Sequence, residues 1–321
     1  MTILLTGVDT LFGSAVAREL ESNGFDVHGI AAPGTAPRVE GIPFEASSSN
    51  SLDLETCLSA LTGVTAVFHL EAERLLRHPL DEPAAMAHVE GTRNLLVAMT
   101  RSGVQDVVYA SSAMSFEPGR LGEPGDEGLR VREVTLPCMR AMRATEDLLQ
   151  RYGDDGRLRS MTLHPTVVMD SGAAPSDTCW WLIDEAACGR LSERAGGINI
   201  VRATDAASAA TKALGRGKPC ESFLLAGCDI TLRDLSSAVR RTMRELGAEP
   251  RTAGARPAGP KRSHGRSPVL EEPLAVMLAS SGLYYSAALA TERLGLRVSD
   301  ADETIREAVE AYVAAMRGPA S

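Results

Sequence analysis

One familiar pair of proton-transferring side chains is missing from this chain. A tyrosine followed four residues later by a lysine lies on one face of a helix, where the ammonium lowers the pKa of the phenol and makes it a better proton donor. Lysine occurs only at Lys212, Lys218 and Lys261. None of these follows a tyrosine by four residues, since the tyrosines are Tyr109, Tyr152, Tyr284, Tyr285 and Tyr312. Any proton transfer must therefore use a different donor.

The N-terminus has the pattern of a dinucleotide-binding turn. The apolar run Thr2–Leu5 predicts a strand, and Ser14–Leu20 predicts the start of an amphipathic helix. Between them, Gly7 permits a tight turn, Gly13 permits close packing of the helix on the strand, and Thr10 stands where a third glycine is frequent. The free amides of such a helix start suit a diphosphate. An ordinary strand–helix turn is the alternative interpretation.

The composition argues against several functional classes. A chain of 321 residues can bury a large core, and a net charge of −9 without a long basic run argues against nucleic acid as a partner. The six cysteines show neither C-x-x-C nor zinc spacing, so no metal site is predicted. The absence of a signal peptide and of an 18-residue apolar span predicts a cytoplasmic protein without a membrane partner. We expect a monomer or a homodimer.

Strand-like and helical segments alternate as far as about residue 170. The predicted strands are Val27–Ala31, Thr65–Leu70, Asp106–Ala110 and Arg159–Val168, and the predicted helices are Asp53–Leu61, Met86–Thr100 and Met139–Tyr152. Short links between such elements imply right-handed crossovers and a parallel sheet. The predicted fold is α/β, a Rossmann-type doubly wound parallel sheet over residues 1–170. A smaller C-terminal substrate-binding lobe over residues 171–321 is expected to interleave with it as one compact unit.

Two features are predicted within the C-terminal lobe. Residues 251–270, rich in proline, glycine and arginine, predict a basic loop that is either solvated or a flexible lid. Residues 300–317 predict a terminal amphipathic helix.

Six short segments, each weak alone, form a strong pattern in this order along the chain. The first three are Thr6–Gly13, similar to T-G-x-x-G-x-x-G, Val67–Ala72, similar to V-F-H-L-A-A, and His88–Asn94, similar to N-V-x-G-T-x-N. The last three are Val108–Ser112, a strand ending in two serines, His164–Val168, similar to R-P-x-x-V, and Phe223–Gly227, similar to Y-N-x-x-G. Together they resemble the extended short-chain dehydrogenases/reductases of the NAD(P)-dependent epimerase/dehydratase type, over nearly the whole length.

The resemblance implies a nicotinamide dinucleotide as cofactor. The residues expected at this cofactor are Gly7, Thr10, Leu11, Phe12, Gly13, Arg38, Leu70, Glu71, Ser111, Pro165, Thr166 and Val167. Glu71 replaces a small residue and is expected to contact ribose hydroxyls or to face solvent. The second strand ends at Ala31 without an acidic residue for the ribose 2′-hydroxyl of NAD, and Arg38 follows within reach of a 2′-phosphate. NADPH is therefore the predicted cofactor, with NADH as the second choice.

The resemblance also implies that the catalytic positions are altered. It places the catalytic hydroxyl on Ser112, which could donate a hydrogen bond to a carbonyl oxygen or only cap the strand end. Pro137–Glu146 resembles P-Y-x-x-S-K-x-x-x-E, so that Cys138 stands in the tyrosine position and Met142 in the lysine position. A thiol has a pKa of ~8.5, and no nearby cation is evident to activate it. Both side chains are expected beside the nicotinamide, with Cys138 as a surrogate acid or a pocket-filling thiol.

Further residues are expected around the substrate. Ser115 could share the hydrogen bond to the carbonyl. His88 and His164 lie in segments expected to approach the cofactor, although a histidine on an apolar element is usually a core residue. Trp180 and Trp181 lie in the region that lines the substrate pocket in the family. Because adjacent residues on a helix diverge by about 100°, at most one of the two tryptophans should face the ligand.

Three functional hypotheses follow. The first is the NADPH-dependent reduction of a small-molecule ketone, with the proton supplied by water, Ser112 or the substrate. Aromatic polyketides, whose carbonyls accept internal hydrogen bonds from phenols, suit such chemistry, and ketoreductases of the simocyclinone angucyclinone type in antibiotic biosynthesis are superfamily members with altered catalytic residues. A redox-inactive NAD(P)-binding sensor or scaffold is the alternative. A nucleotide-sugar epimerase or dehydratase is the second alternative, disfavoured because it usually needs the tyrosine as a base.

Overall fold

The computed structural model describes residues 1–46, 52–175, 177–191, 194–250 and 282–317. Within them, a seven-stranded sheet has the order β3-β2-β1-β4-β5-β6-β9, with every neighbouring pair parallel. Its strands are β1 (Thr2–Thr6), β2 (Asp26–Ala31), β3 (Phe44–Ala46), β4 (Ala66–His69), β5 (Asp106–Ala110), β6 (Arg159–Pro165) and β9 (Glu221–Leu225). The strand order reverses at β1, and ligands of doubly wound sheets bind at such a point. The predicted fold class is confirmed.

Helices cover both faces of this sheet because its strands are apolar on both sides. The helices are α1 (Leu11–Ser22), α2 (Leu54–Ala60), α3 (Glu82–Ser102), α4 (Pro137–Asp154) and α6 (Ala203–Arg216). Along β5, Val108 packs in the core formed with α1 and α6, whereas its neighbours Val107 and Tyr109 pack in the core formed with α2, α3 and α4. The period of two that orients strand side chains therefore places α4 and α1 on opposite faces.

A smaller sheet packs with the C-terminal helices. Its order is β10-β8-β7, built from β7 (Val167–Met169), β8 (Gly197–Arg202) and β10 (Cys228–Thr231). The helices around it are α5 (Thr178–Ala187), α7 (Leu232–Glu245) and α9 (Ala301–Arg317). Helix α8 (Ala288–Leu294) packs instead on α6 and β9 of the large sheet. β7 lies before residue 170 but belongs to the small sheet, while β9 follows it and belongs to the large one. The division at residue 170 stays a prediction.

Most predicted elements appear with shifted ends, and one predicted strand is wrong. The single strand expected over Arg159–Val168 ends at Pro165, and β7 continues in the other sheet. The break occurs at Thr166, whose hydroxyl donates to Asn199 Oδ1 at 2.8 Å and whose amide donates to the Leu225 carbonyl. The predicted loop at 251–270 lies outside the described residues. In the described part of the chain, no helix has the length and apolarity that crossing a membrane requires.

Candidate active site

A cavity of about 900 Å³, counted to its open mouth, lies at the carboxyl edge of the large sheet. Its walls come from the β1–α1 turn, the end of β5, the link between β6 and β7, the start of α5 and residues 283–285. Eight predicted cofactor or catalytic residues line it: Leu11, Phe12, Leu70, Ser111, Ser112, Pro165, Thr166 and Val167. The sheet edge therefore brings together residues from several separate segments. Whether each contacts cofactor or substrate stays a prediction.

The turn between β1 and α1 requires its two glycines. Gly7 has φ +80°, and a Cβ at this position would lie 2.8 Å from the Glu71 amide nitrogen. A Cβ on Gly13 would lie 2.1 Å from the Gly7 carbonyl oxygen. Thr10 closes the turn, because its hydroxyl donates to the Gly7 carbonyl at 2.9 Å and accepts from the Gly13 amide at 3.0 Å. The hydroxyl thereby stabilises a turn in which a third glycine is frequent.

Glu73, which the sequence analysis did not single out, holds the free amides of this turn. It lies in a 3-10 helix (Glu71–Arg77) after β4. Its carboxylate oxygens accept from the Phe12 amide at 2.9 Å and from the Leu11 amide at 3.3 Å. Burial, together with the nearby Asp177 carboxylate, raises the pKa of Glu73. The Leu11 and Phe12 amides at the start of α1 therefore already have an acceptor within the protein.

Arg38 lies near the turn as expected, yet an acidic residue holds its guanidinium. The two terminal nitrogens lie 2.7 and 2.9 Å from the two carboxylate oxygens of Asp177, and Nε donates to the Asp9 carbonyl. Arg77 adds a further contact with Asp177 at 3.1 Å, and the Asp177 side chain is 1% exposed. Asp177 directly precedes α5, so this cluster ties the β2–β3 segment to the C-terminal lobe.

Glu71 does not face solvent, and whether it contacts a ribose stays a prediction. It is buried, with one carboxylate oxygen 3.1 Å from Arg74 NH1 and the other 3.6 Å from His88 Nδ1. Burial alone would raise the pKa of Glu71, but the interaction with His88 and the nearby His69 and Arg74 lower it to about 2. Arg74 also forms an ion pair with Asp9. The expectation of solvent exposure is wrong because the buried carboxylate is paired with the Arg74 guanidinium.

Two serines at the end of β5 differ in their hydrogen bonds. Ser111 donates to Glu146 Oε1 at 2.5 Å. Ser112 accepts from the Met114 amide at 3.3 Å, and within the described residues its hydroxyl donates to no other group. Ser112 therefore both caps the turn after β5 and keeps a proton available for a ligand in the cavity.

Ser115 does not line the cavity, which corrects its assignment to the substrate pocket. Its hydroxyl is buried and donates to Glu146 Oε1 at 2.8 Å. Arg130 forms an ion pair with the same carboxylate. Burial would raise the pKa of Glu146, but His164 and Arg130 lower it below its usual value. The ionised carboxylate therefore fixes the serine hydroxyls in place.

Cys138 and Met142 do not line the cavity either, which corrects their expected position beside the nicotinamide. They are 1% and 0% exposed and pack in the apolar core between α4 and the sheet. Burial raises the pKa of the Cys138 thiol to about 11. Thiol and thioether side chains are apolar enough to join this core, where a lysine would need a charged partner. Their correspondence to the family's tyrosine and lysine stays a prediction.

The tryptophans and His88 also lie away from the cavity. Trp180 packs against Tyr312 with ring centroids 4.7 Å apart, and both tryptophans contact the core of the C-terminal lobe. Their α5 neighbours Thr178 and Cys179 line the cavity instead. His88 is buried beside Tyr109, with Nε2 3.3 Å from the phenol oxygen. The two tryptophans therefore do not mark the cavity wall, because α5 directs their side chains toward the core of the C-terminal lobe.

Three polar cavity residues, Thr178, Asn199 and Tyr285, were missed at the sequence level. Asn199 accepts from the Thr166 hydroxyl and from the Gly227 amide, and so joins the two sheets beside the cavity. Tyr285 donates to the Phe116 carbonyl at 3.4 Å. Asn199 is a polar residue within the otherwise apolar run Ile198–Val201 of β8, and this pattern could have identified it from the sequence. Tyr285 lies outside any segment with a helical or strand-like pattern, so the sequence contained no comparable signal for it.

One cluster of potential metal ligands occurs among the described residues. His69, Glu71 and His88 place ligand atoms within 4.8 Å of one another. The two nitrogens of His69, however, form hydrogen bonds with Thr6 Oγ1 at 2.7 Å and Thr92 Oγ1 at 2.9 Å. These contacts account for the cluster as a buried hydrogen-bonded network.

The relationship to known proteins agrees with this geometry. A family model, the NAD dependent epimerase/dehydratase family, matches residues 3–187. Cinnamoyl-CoA reductase 1 of Oryza sativa subsp. japonica is 31% identical over 128 residues, covering 37% of this chain and 37% of the rice protein. The solved structure of gox2253 has a TM-score of 0.77 and 25% identity, covering 100% of this chain and 99% of that one.

A further solved structure carries the same fold. UDP-glucose 4-epimerase of Thermus thermophilus in complex with NAD has a TM-score of 0.73 and 22% identity, covering 100% of both chains. The family match spans more than half of the sequence and includes the glycine turn, β4, β5 and α4. The chain belongs to the NAD-dependent epimerase/dehydratase family.

Proposed function

We propose that this protein is an NADPH-dependent reductase of an apolar, aromatic ketone in secondary metabolism. The observation that carries the proposal is the apolar cavity beside the dinucleotide turn, with the Ser112 hydroxyl in its wall. When bound, the nicotinamide would supply a hydride, and the protein's own contribution is to bind and orient the ketone. Ser112 would donate a hydrogen bond to the ketone oxygen. The name of the rice relative, a reductase, supports this reaction class.

The described cavity wall does not favour a nucleotide sugar. A nucleotide sugar would bring a second diphosphate besides that of the cofactor, and this would need cations or free amides of its own. Among the described residues that line the cavity there is no lysine or arginine, and Glu73 contributes a negative charge. A compact aromatic ketone needs no such groups, and the apolar wall suits it better.

A redox-inactive dinucleotide-binding protein is the second candidate. The observation that favours it is the hydrogen bonding of Glu73 to the two amides at the start of α1. With Glu73 on these amides, the protein would bind a dinucleotide weakly, and its cavity would bind a small molecule without reducing it. Reduction of a ketone by the purified protein separates the two candidates.

The proton source is tested by two substitutions. Cys138→Ala should retain most of the turnover, because the thiol is buried away from the cavity and its pKa is raised to about 11. Ser112→Ala should slow reduction by up to about tenfold, the value of one hydrogen bond. Turnover is followed as loss of absorbance of the reduced nicotinamide with a panel of aromatic ketones.

Methylation of the substrate is the matching chemical control. If a phenol beside the carbonyl assists the reaction, methylating that phenol should lower kcat well beyond its effect on binding. Loss of activity in Cys138→Ala alone, with methylation harmless, would show that the thiol is the acid. No oxidation of the cofactor with any aromatic ketone would favour the redox-inactive candidate.

Cofactor preference provides a separate prediction. We expect tighter binding of NADPH than of NADH, since β2 ends at Ala31 without a carboxylate and Arg38 lies nearby. The preference should be modest, because Arg38 must leave Asp177 to reach a 2′-phosphate. Calorimetric titration of both cofactors into wild type and Arg38→Ala measures it, with the exposed Arg101→Ala as control. Tighter NADH binding, or no effect of Arg38→Ala, contradicts the prediction.

A further inference from the structure

The amides at the start of α1 already have an anionic partner within the protein. The Glu73 carboxylate oxygens lie 2.9 Å from the Phe12 nitrogen and 3.3 Å from the Leu11 nitrogen. A diphosphate bound at a helix N-terminus uses the same pairing of anionic oxygens with free backbone amides. Glu73 therefore stands where diphosphate oxygens would have to be.

The charges around this turn oppose a second anion. The carboxylates are Asp9, Glu71, Glu73 and Asp177, and the guanidiniums are Arg38, Arg74 and Arg77. Each of these guanidiniums contacts a carboxylate of the same cluster. Four negative and three positive groups leave the cluster at a formal charge of −1. A diphosphate that entered beside Glu73 would add more negative charge without a free cation from this cluster to offset it.

Glu73 is placed so that it can leave the amides by side-chain rotation. It lies in the first turn of the 3-10 helix Glu71–Arg77, is partly exposed and lines the cavity. Within the described residues, the hydrogen bonds of its carboxylate are those to the two α1 amides. Rotation about side-chain bonds would move the carboxylate off the turn without moving α1 or β4.

We propose that Glu73 is an internal competitor for the diphosphate of the dinucleotide. The turn then has a closed state, with Glu73 on the Leu11 and Phe12 amides, and an open state that accepts the cofactor. The affinity for cofactor is lowered by the fraction of molecules in the closed state. This inference rests on the proposed function only in taking a dinucleotide as the ligand.

Calorimetric titration of the full chain with NADPH and with inorganic pyrophosphate tests the competition. Glu73→Gln keeps the size of the side chain and removes its charge, and Glu73→Ala removes the acceptor. Both variants should bind each probe at least about tenfold more tightly than wild type. Glu90→Gln, which alters an exposed carboxylate on α3, should bind like wild type. Urea unfolding of each variant confirms that the fold is retained.

The outcomes separate this inference from the proposed function. Unchanged or weaker binding in both folded Glu73 variants would overturn the competition, even if wild type reduces aromatic ketones. Tighter binding in the variants without ketone reduction would support the competition and remove the reductase proposal. No detectable binding of NADPH or pyrophosphate in wild type and both variants would overturn both.

Discussion

The protein is expected to lose several kcal/mol of unfolding free energy as the pH falls from 6.5 to 4. Two buried histidines, His69 and His164, have pKa values lowered from 6.5 to about 4, chiefly by burial. In this window the unfolded chain binds protons that the folded protein does not, so stability is complete above pH 6.5 and falls as the pH falls. A shift of this size corresponds to roughly 3 kcal/mol for each histidine at most.

The surroundings of the two rings explain why the neutral form is retained. His69 is enclosed by Thr6 and Thr92, both within hydrogen-bond distance of its nitrogens. His164 Nδ1 lies 3.1 Å from the Ser112 carbonyl, and its ring packs edge-on against Phe116. Burial lowers the pKa of His164 by more than the Glu146 carboxylate, 3.8 Å from Nδ1, raises it. Neither ring is exposed to water that could solvate a proton. Below pH 4.5, Glu71 takes up a proton in the unfolded chain, whereas in the folded protein burial, which raises its pKa, is outweighed by its partners, which lower the pKa to about 2. Further stability should therefore be lost as the pH falls from 4.5 toward 2.

Urea unfolding across this pH range measures the effect. His164→Asn removes one titration while its side-chain amide can still donate to the Ser112 carbonyl, and it should flatten the pH dependence by about half. His78→Asn is the matched control for the substitution itself, because the His78 side chain is exposed and not part of either buried site. Equal stability of wild type at the two ends of this range would contradict the prediction.

Gly13→Ala is expected to cost about 3 kcal/mol or more and to abolish dinucleotide binding. The new Cβ would lie 2.1 Å from the Gly7 carbonyl oxygen and 2.8 Å from Thr10 Oγ1. Overpacking usually costs about 1–3 kcal/mol, and here the main obstacle is backbone that cannot turn aside. Either α1 must move off the sheet or the Gly7 turn must open, and both would displace the Leu11 and Phe12 amides.

Gly215→Ala is the matched control for this substitution. Gly215 also lies in a helix, α6, but a Cβ added to it would meet no neighbouring atom within 4 Å. An alanine there should stabilise the protein by about 0.5–1 kcal/mol through higher helix propensity. Urea midpoints and NADPH titration of both variants provide the measurement. Wild-type stability and binding in Gly13→Ala would disprove the close approach of α1 to the Gly7 turn.

Local sequence patterns predicted the fold class and the position of the glycine turn between β1 and α1. Alternating strand and helix patterns predict a parallel sheet because each element's period reflects which of its faces is buried. Gly7 and Gly13 were identifiable because the constraints on them arise within a single turn. Ser112 could be placed at the sheet edge since it directly follows the buried strand Asp106–Ala110.

Contacts between distant segments determine which side chains come together around the cavity and the glycine turn. Glu73 reaches amides 61 and 62 residues earlier, and Arg38 pairs with an aspartate 139 residues later. Such ion pairs and caps depend on how distant segments meet, which local patterns do not specify. The direction of Cys138 was likewise decided by packing, because α4 turns its apolar face to the sheet and a buried thiol has lower free energy in that core than a charged group would have.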